Sequence, residues 1–234
     1  MSAQLNPDEI RKRIARRIAL ELESGMVVNL GVGIPTLIQD FLQPNHGVFL
    51  QSENGLLGMG PTPPDDEFDM DLISASKHPI TLEPGASIFS SSDSFAMIRG
   101  GHIDVAVMGA LQVSERGEIA NWSIPGQDIL GVGGAMDLVA SAKTMMIAIN
   151  HLTKDSKPKL VRNLSYPTSG IRFAQKVIDG GERIFIENSR MILREIAPDC
   201  TLEEISATTE AHFEVAEDLK TMPVTPHAMG SGIA

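Results

Sequence analysis

Three short stretches of this 234-residue chain place chemically useful groups at suggestive spacing. In the first, the apolar run Val48-Phe49-Leu50 passes through Gln51 and Ser52 to end on Glu53-Asn54-Gly55. Burying a carboxylate at the tip of an apolar strand is costly unless the group is used. Asn54-Gly55 permits a tight left-handed turn that would push Glu53 outward at the carboxyl edge of a sheet. Gly55, Gly58 and Gly60 keep nearby bulk low, as close approach by a ligand would require. A glutamate with a reference pKa of about 4.3 is ionised at neutral pH and can serve as a nucleophile.

The second stretch, Gly31-Val32-Gly33, follows the apolar run Met26–Leu30 and would aim backbone N–H groups at an anion or carbonyl above the strand ends. The third, Gly133-Gly134-Ala135, opens a helix, and its successive N–H groups suit a developing oxyanion. A carboxylate attacking an acyl carbonyl needs a nucleophile and such a nest together. Two other readings stand beside this one. Glu53 can be the end of a turn that meets solvent. It also lies about 20 residues after Gly33, where a dinucleotide fold places its ribose-binding acid, although the third fingerprint glycine is missing.

Other chemistries find no anchor. The chain has no G-x-S-x-G elbow and no Walker A loop, since Lys143-Thr144 lacks the preceding glycine. Its six histidines show no paired ligand spacing, so no metal site is expected. The acidic stretch 64–71 lacks the glycine and closing glutamate of a calcium loop and reads as solvated. A formal charge of −11 argues against nucleic acid or an anionic membrane as partner. The single cysteine, Cys200, suits a reducing compartment and reads as structural. No apolar stretch approaches the roughly 20 residues needed to span a bilayer, and the N-terminus turns polar and then helical rather than resembling a signal peptide. A cytoplasmic protein is expected.

Alternating strands and helices must position these groups. Asn6, Pro7, Asp8 and Glu9 mark the start of a first helix that Ser24-Gly25 should stop. Its apolar stripe Ile10, Ile14, Ile18 and Leu22 leaves Arg11, Lys12, Arg13, Arg16 and Arg17 as the wet face. Strands are expected at 26–30, 47–52, 103–110, 144–150 and 182–188, with a hairpin turning at Asn188-Ser189-Arg190. Helices are expected from Pro35 to about Phe41, over 94–101 with Asp93 as cap, at 135–142, over 169–181, and after Thr201, whose partner Glu204 completes a capping box. The pattern implies an α/β/α sandwich around a mostly parallel, mixed sheet. One domain over 1–222 with a poorly ordered tail at 223–234 follows.

The motifs "LQSENGLLGMGP", "SFAMIRGGHIDVAVMGALQV" and "GVGGAMDLV" together closely resemble the B (β) half of family I CoA transferases of the 3-oxoacid type, over about Asp8 to Lys220. The resemblance implies the three-layer fold shared with sugar-phosphate isomerases, and Glu53 as the catalytic glutamate rather than a ribose binder. It further implies ping-pong transfer of CoA between an acyl-CoA and a carboxylic or 3-oxo acid, through a glutamyl-CoA thioester. Gly133, Gly134 and Ala135 match the loop facing the thioester; Asn29, Gly31, Gly33 and Lys77 match substrate-binding positions. No permanently bound cofactor is implied, only CoA thioesters as substrates. An A-type (α) partner would complete the site, as A2B2. Gln127, Asp128 and Leu130 depart from the lysine-bearing family pattern, and Asn150 replaces a glutamate before His151. Those departures keep open a scaffold or ligand-binding relative that lost turnover.

Overall fold

The computed structural model describes residues 5–43, 45–64, 66–127, 131–170 and 172–223. Asp128, Leu130 and the tail from residue 224 lie outside them. Helix α1 (Pro7–Ala19) starts as its sequence dictates: Glu9 N–H donates to Asn6 Oδ1 at 2.9 Å and Pro7 holds the first turn. It ends at Leu20, short of Ser24-Gly25. Strand β1 (Val27–Leu30), a 3₁₀ helix (Ile34–Phe41), β2 (Phe49–Ser52), β3 (Leu56–Met59) and β4 (Leu82–Ile88) follow. Next come α2 (Ser91–Arg99), β5 (Val105–Met108), β6 (Gln112–Ser114), β7 (Ile119–Ala120), α3 (Ala135–Ser141) and β8 (Thr144–Ala148). The chain closes with β9 (Leu160–Val161), β10 (Lys176–Ile178), β11 (Glu182–Glu187), β12 (Arg190–Ile196), α4 (Leu202–Thr208) and β13 (Phe213–Thr221).

Ten strands form one mixed sheet in the order β13-β12-β11-β10-β8-β5-β1-β2-β3-β4. Its centre, β10-β8-β5-β1-β2, is parallel. The β11–β12 hairpin turns through Asn188 and Ser189 at φ 52° and 60°, as that dipeptide suggests. A small second sheet pairs β7, β6 and β9.

Strand alternation divides the core in two. Val105, Val107, Met146 and Ala148 join Ile14 and Ile18 of α1 and Ile38 of the 3₁₀ helix on one face. Ala106, Met108, Met145 and Ile147 join Ile98 of α2 and Leu138 and Val139 of α3 on the other. Both faces are thus covered, as buried parallel strands require. Ile14 and Ile18 are fully buried, each worth roughly 1.5–3 kcal/mol.

Three local expectations are corrected. Arg13 and Arg17 are not on a wet face; both are buried. Arg13 grips Asp199 through two bonds of 2.7 and 2.9 Å, and Arg17 grips Glu195 likewise at 2.7 and 2.9 Å. The apolar stripe of Ile14 and Ile18 does face the core, but long guanidinium stems can be buried beside it when a carboxylate waits at the end. Ser90, not Asp93, caps α2, its hydroxyl accepting from Asp93 N–H at 3.1 Å. The described part of 169–181 is not helical; it holds β10, because a place in the sheet beside β8 outweighs the apolar spacing.

Candidate active site

Glu53, Asn54 and Gly55 form the turn joining β2 to β3, at the carboxyl end of β2. Gly55 has φ +118°, and a Cβ there would collide with the carbonyl oxygen of Phe89, which neighbours it because Phe89 N–H donates to Gly55 O at 2.9 Å. The turn is pinned from outside as well. Asn54 Nδ2 donates to Ile73 O at 2.8 Å, and Ala75 N–H donates to Ser52 Oγ at 2.9 Å. Beneath it, Asn29 Nδ2 donates to Gln51 Oε1 at 2.6 Å and Gln51 Nε2 to Ser94 Oγ at 2.6 Å. This buried polar chain ties β1, β2 and α2 together and fixes the height of the strand end.

Among the described residues the Glu53 carboxyl accepts no hydrogen bond and has no cationic partner. Partial burial, and secondarily the carboxylate of Asp137, hold its pKa above the ordinary 4.5. A carboxylate left without neutralisation is more basic and more nucleophilic than one in a salt bridge. Asp137 itself is paired with Arg99, Nε to Oδ1, at 2.8 Å, and the Arg99 guanidinium lies 5.3 Å from the Phe95 ring centre.

The glycine loop before α3 meets this carboxyl. A Cβ on Gly134 would overlap Glu53 Oε2 and stand 3.1 Å from Glu53 Cδ and 3.2 Å from Phe95 Cζ. Gly134 lies at φ −80° and ψ 2°, open to any residue, so what its missing side chain provides is space for the glutamate. Gly133 has φ +53° and nothing near its Cβ position; its glycine serves the backbone turn. The N–H groups of Gly133 and Gly134 donate to no acceptor among the described residues. That of Ala135 reaches Val132 O at 3.3 Å, so two of the three expected donors remain uncommitted.

The other candidates are arranged less directly. Gly31 N–H donates to Val107 O at 2.8 Å, and its Cβ position is 3.1 Å from that oxygen; this glycine lets β1 pass close to β5 rather than offering a donor. Gly33, at φ +92°, starts the 3₁₀ helix, its carbonyl accepting from Thr36 Oγ1 at 2.7 Å. Because β1 and β2 are parallel neighbours, this turn and Glu53 emerge from the same sheet edge. Asn29 is buried and bonded to Gln51, and no hydrogen bond joins it to Glu53 among the described residues. Lys77 is exposed, at φ +62°, in the loop that Ser52 and Asn54 anchor. Gln127 is exposed.

Four residues around the glutamate carry no local signal: Gln51, Ser94, Phe95 and Asp137. They enter the site from β2, α2 and α3, and only the packing of α2 on α3 brings Phe95 and Asp137 to one place. A cavity of about 670 Å³ elsewhere in the described residues shares no lining residue with this site. The described residues contain no helix long and apolar enough to cross a membrane.

The chain is similar to known proteins over most of its length. Residues 11–208 match the Coenzyme A transferase family. The chain is 43% identical over 213 residues to the acetate CoA-transferase beta subunit of Escherichia coli (strain K12), covering 91% of this chain and 97% of that one. It is also 45% identical over 217 residues to the human mitochondrial succinyl-CoA:3-ketoacid coenzyme A transferase 2, covering 92% of this chain. It spans only 42% of the length of that longer relative. The apoenzyme structure of an acyl-CoA transferase from Escherichia coli O157:H7 superposes with a TM-score of 0.76 at 22% identity, over 98% of this chain and 46% of that one, a likeness of fold. The match takes in the glutamate turn, the glycine loop and the sheet that joins them: the chain belongs to the coenzyme A transferase family.

Proposed function

We propose that this chain is the B-type half of a CoA transferase and that Glu53 carries the transferred acyl and CoA groups. The observation that carries the reading is the Glu53 carboxyl packed against Gly134, whose N–H, like that of the preceding Gly133, donates to no acceptor among the described residues. Glu53 attacks the carbonyl carbon of an acyl-CoA; the C–S bond breaks and CoA leaves as thiolate, giving an acyl-glutamyl anhydride. The thiolate then attacks the glutamyl carbonyl and the first acid departs as carboxylate. A second carboxylate reverses both steps and leaves with CoA, restoring Glu53. Every intermediate keeps an activated carbonyl, so no nucleotide is consumed, and each must be shielded from water. The N–H groups of Gly133 and Gly134 suit the oxyanion formed at each attack.

The substrates we assign are an acyl-CoA of the succinyl or acetyl type and a carboxylic or 3-oxo acid, the class that the names of the relatives indicate. Lys77, on the loop anchored to the glutamate turn, supplies positive charge for a CoA phosphate. Asn29 acts through Gln51 to hold the strand beneath Glu53, and Gly31 and Gly33 shape the neighbouring rim.

An A-type partner, assembled as A2B2, completes the site. Val32 and Met136, next to the two glycine turns, are 68% and 42% exposed, apolar surface that a partner would cover. The assignment of residues 1–222 as one catalytic domain and a cytoplasmic location belong to the same proposal.

The test is covalent. Incubating the assembled complex with an acyl-CoA and then borohydride should reduce the thioester and mark the peptide containing Glu53, by mass spectrometry. An active complex carrying the mark on another residue would refute the assignment, and a complex that exchanges nothing would favour a scaffold.

A further inference from the structure

The proposed chemistry leaves unused a second constellation at the ends of β8, β10 and β11. His151 follows β8, Asp179 follows β10 and Glu182 opens β11; the adjacency of the three strands places one nitrogen and two carboxylate oxygens within 4.8 Å of one another. His151 Nδ1 lies 2.6 Å from Asp179 Oδ2 and 3.2 Å from Glu182 Oε1. The two carboxylates are buried, Asp179 and Glu182 each at 1% exposure. Neither oxygen of Glu182 has a hydrogen-bond partner among the described residues. Among the same residues neither acid pairs with a lysine or arginine. Arg13, which lines the same cavity, is committed to Asp199 and Gly180 O.

The surroundings of the three groups are already arranged. Thr209 Oγ1 donates its one proton to Ile205 O at 2.7 Å, so toward His151 Nε2, 3.2 Å away, it can only accept. Nε2 therefore carries a hydrogen, and in the neutral ring the Nδ1 lone pair faces the two acids. Asp179 Oδ1 accepts from Gly181 N–H at 2.7 Å and Glu182 N–H at 2.8 Å, which leaves Oδ2 pointing at the cluster. Outer-shell bonds of these two kinds orient metal ligands. With both carboxylates ionised, a charged imidazole leaves one negative charge in excess in this buried place, whereas a dication with a neutral ring balances both acids. The cavity of about 670 Å³ opens onto all three residues and gives room for entry and for ligand water.

We propose that His151 Nδ1, Asp179 Oδ2 and the Glu182 carboxylate form a site for a divalent first-row cation, zinc or manganese in class. One imidazole with two carboxylates favours these ions over magnesium, which prefers oxygen alone. The ion ties the ends of β8, β10 and β11 to α4 through Thr209. It lies apart from Glu53 and takes no part in the transfer chemistry.

The test uses the full chain stripped with chelator and titrated with zinc, manganese or magnesium chloride, read by calorimetry and thermal melting. One zinc or manganese per chain is expected, with Tm rising by about 5–10 °C at free ion about 100 times Kd. Glu182→Gln, which keeps the shape, and His151→Gln should each weaken binding at least tenfold. Anomalous scattering from zinc-soaked crystals should place the ion at His151. Absence of saturable binding to the wild-type chain would overturn the proposal. So would zinc found only at exposed histidines, equal affinity in both variants, or tighter binding of magnesium than of zinc.

Discussion

Gly134→Ala separates the proposed chemistry from the fold more sharply than any other substitution. The backbone there, φ −80° and ψ 2°, accepts alanine without strain, and the position caps α3, where alanine for glycine costs about 1 kcal/mol or less. The added methyl would overlap Glu53 Oε2 and stand 3.1 Å from Cδ, against an ordinary separation of about 3.5–4.0 Å. Phe95 Cζ, 3.2 Å from the same position, crowds the methyl as well, and the flexible glutamate end is the group that moves, by roughly 1 Å. A displacement of that size at a nucleophile costs about 10²-fold in rate, or about 2.7 kcal/mol of transition-state stabilisation. Tm should change by no more than about 4 °C. The assay is CoA exchange between a thioester and a free acid in the assembled complex, followed by chromatography, with melting measured on the same preparations. Gly133→Ala is the contrast: at φ +53° with open space beyond, it should destabilise by about 1–2 kcal/mol while leaving the glutamate untouched. Exchange within threefold of wild type in a correctly folded Gly134→Ala complex would refute the reasoning that this contact sets the glutamate's position.

Glu53→Gln should abolish exchange, by roughly 10⁴-fold or more, while preserving assembly. Because burial and Asp137 raise the folded-state pKa, ionised Glu53 opposes folding above that pKa; the glutamine variant should melt higher at neutral pH, with the gain shrinking as pH falls through it. The same displacement predicts that acyl-adduct formation declines on acidification with an apparent pKa above 4.5, since only the carboxylate attacks. Gly55→Ala places a methyl against the Phe89 carbonyl at φ +118° and should cost about 2–3 kcal/mol, visible in urea unfolding. Arg17→Met deprives the buried carboxylate of Glu195 and the half-buried one of Glu21 of one partner and should cost about 3 kcal/mol, lowering Tm by roughly 6–12 °C; an unchanged Tm would mean that Arg183 and Lys176 alone compensate those acids.

Local chemistry is legible wherever one segment decides it alone. The Asn6 cap, the capping box of Thr201 and Glu204, the Asn188-Ser189 hairpin turn and the glutamate turn at Glu53 all depend on residues within a few positions of each other. The near-continuous apolar runs Val105–Met108 and Thr144–Ala148 are enough to announce buried strands with two covered faces. Where two distant segments share the outcome, only the folded chain can decide. The arginines of α1 sit at positions that a helical wheel assigns to water, yet Asp199 and Glu195, some 180 residues onward, draw two of them inside. Lys176–Ile178 carries no strand signal that outweighs a helical reading until β8 offers it a partner. Gly134 and Glu53 are 81 positions apart, and His151 lies 28 from Asp179. Sequence supplied the reactive residue types and their turns; the order of parallel strands supplied the distances between them, because groups at neighbouring strand ends meet however far apart the chain places them.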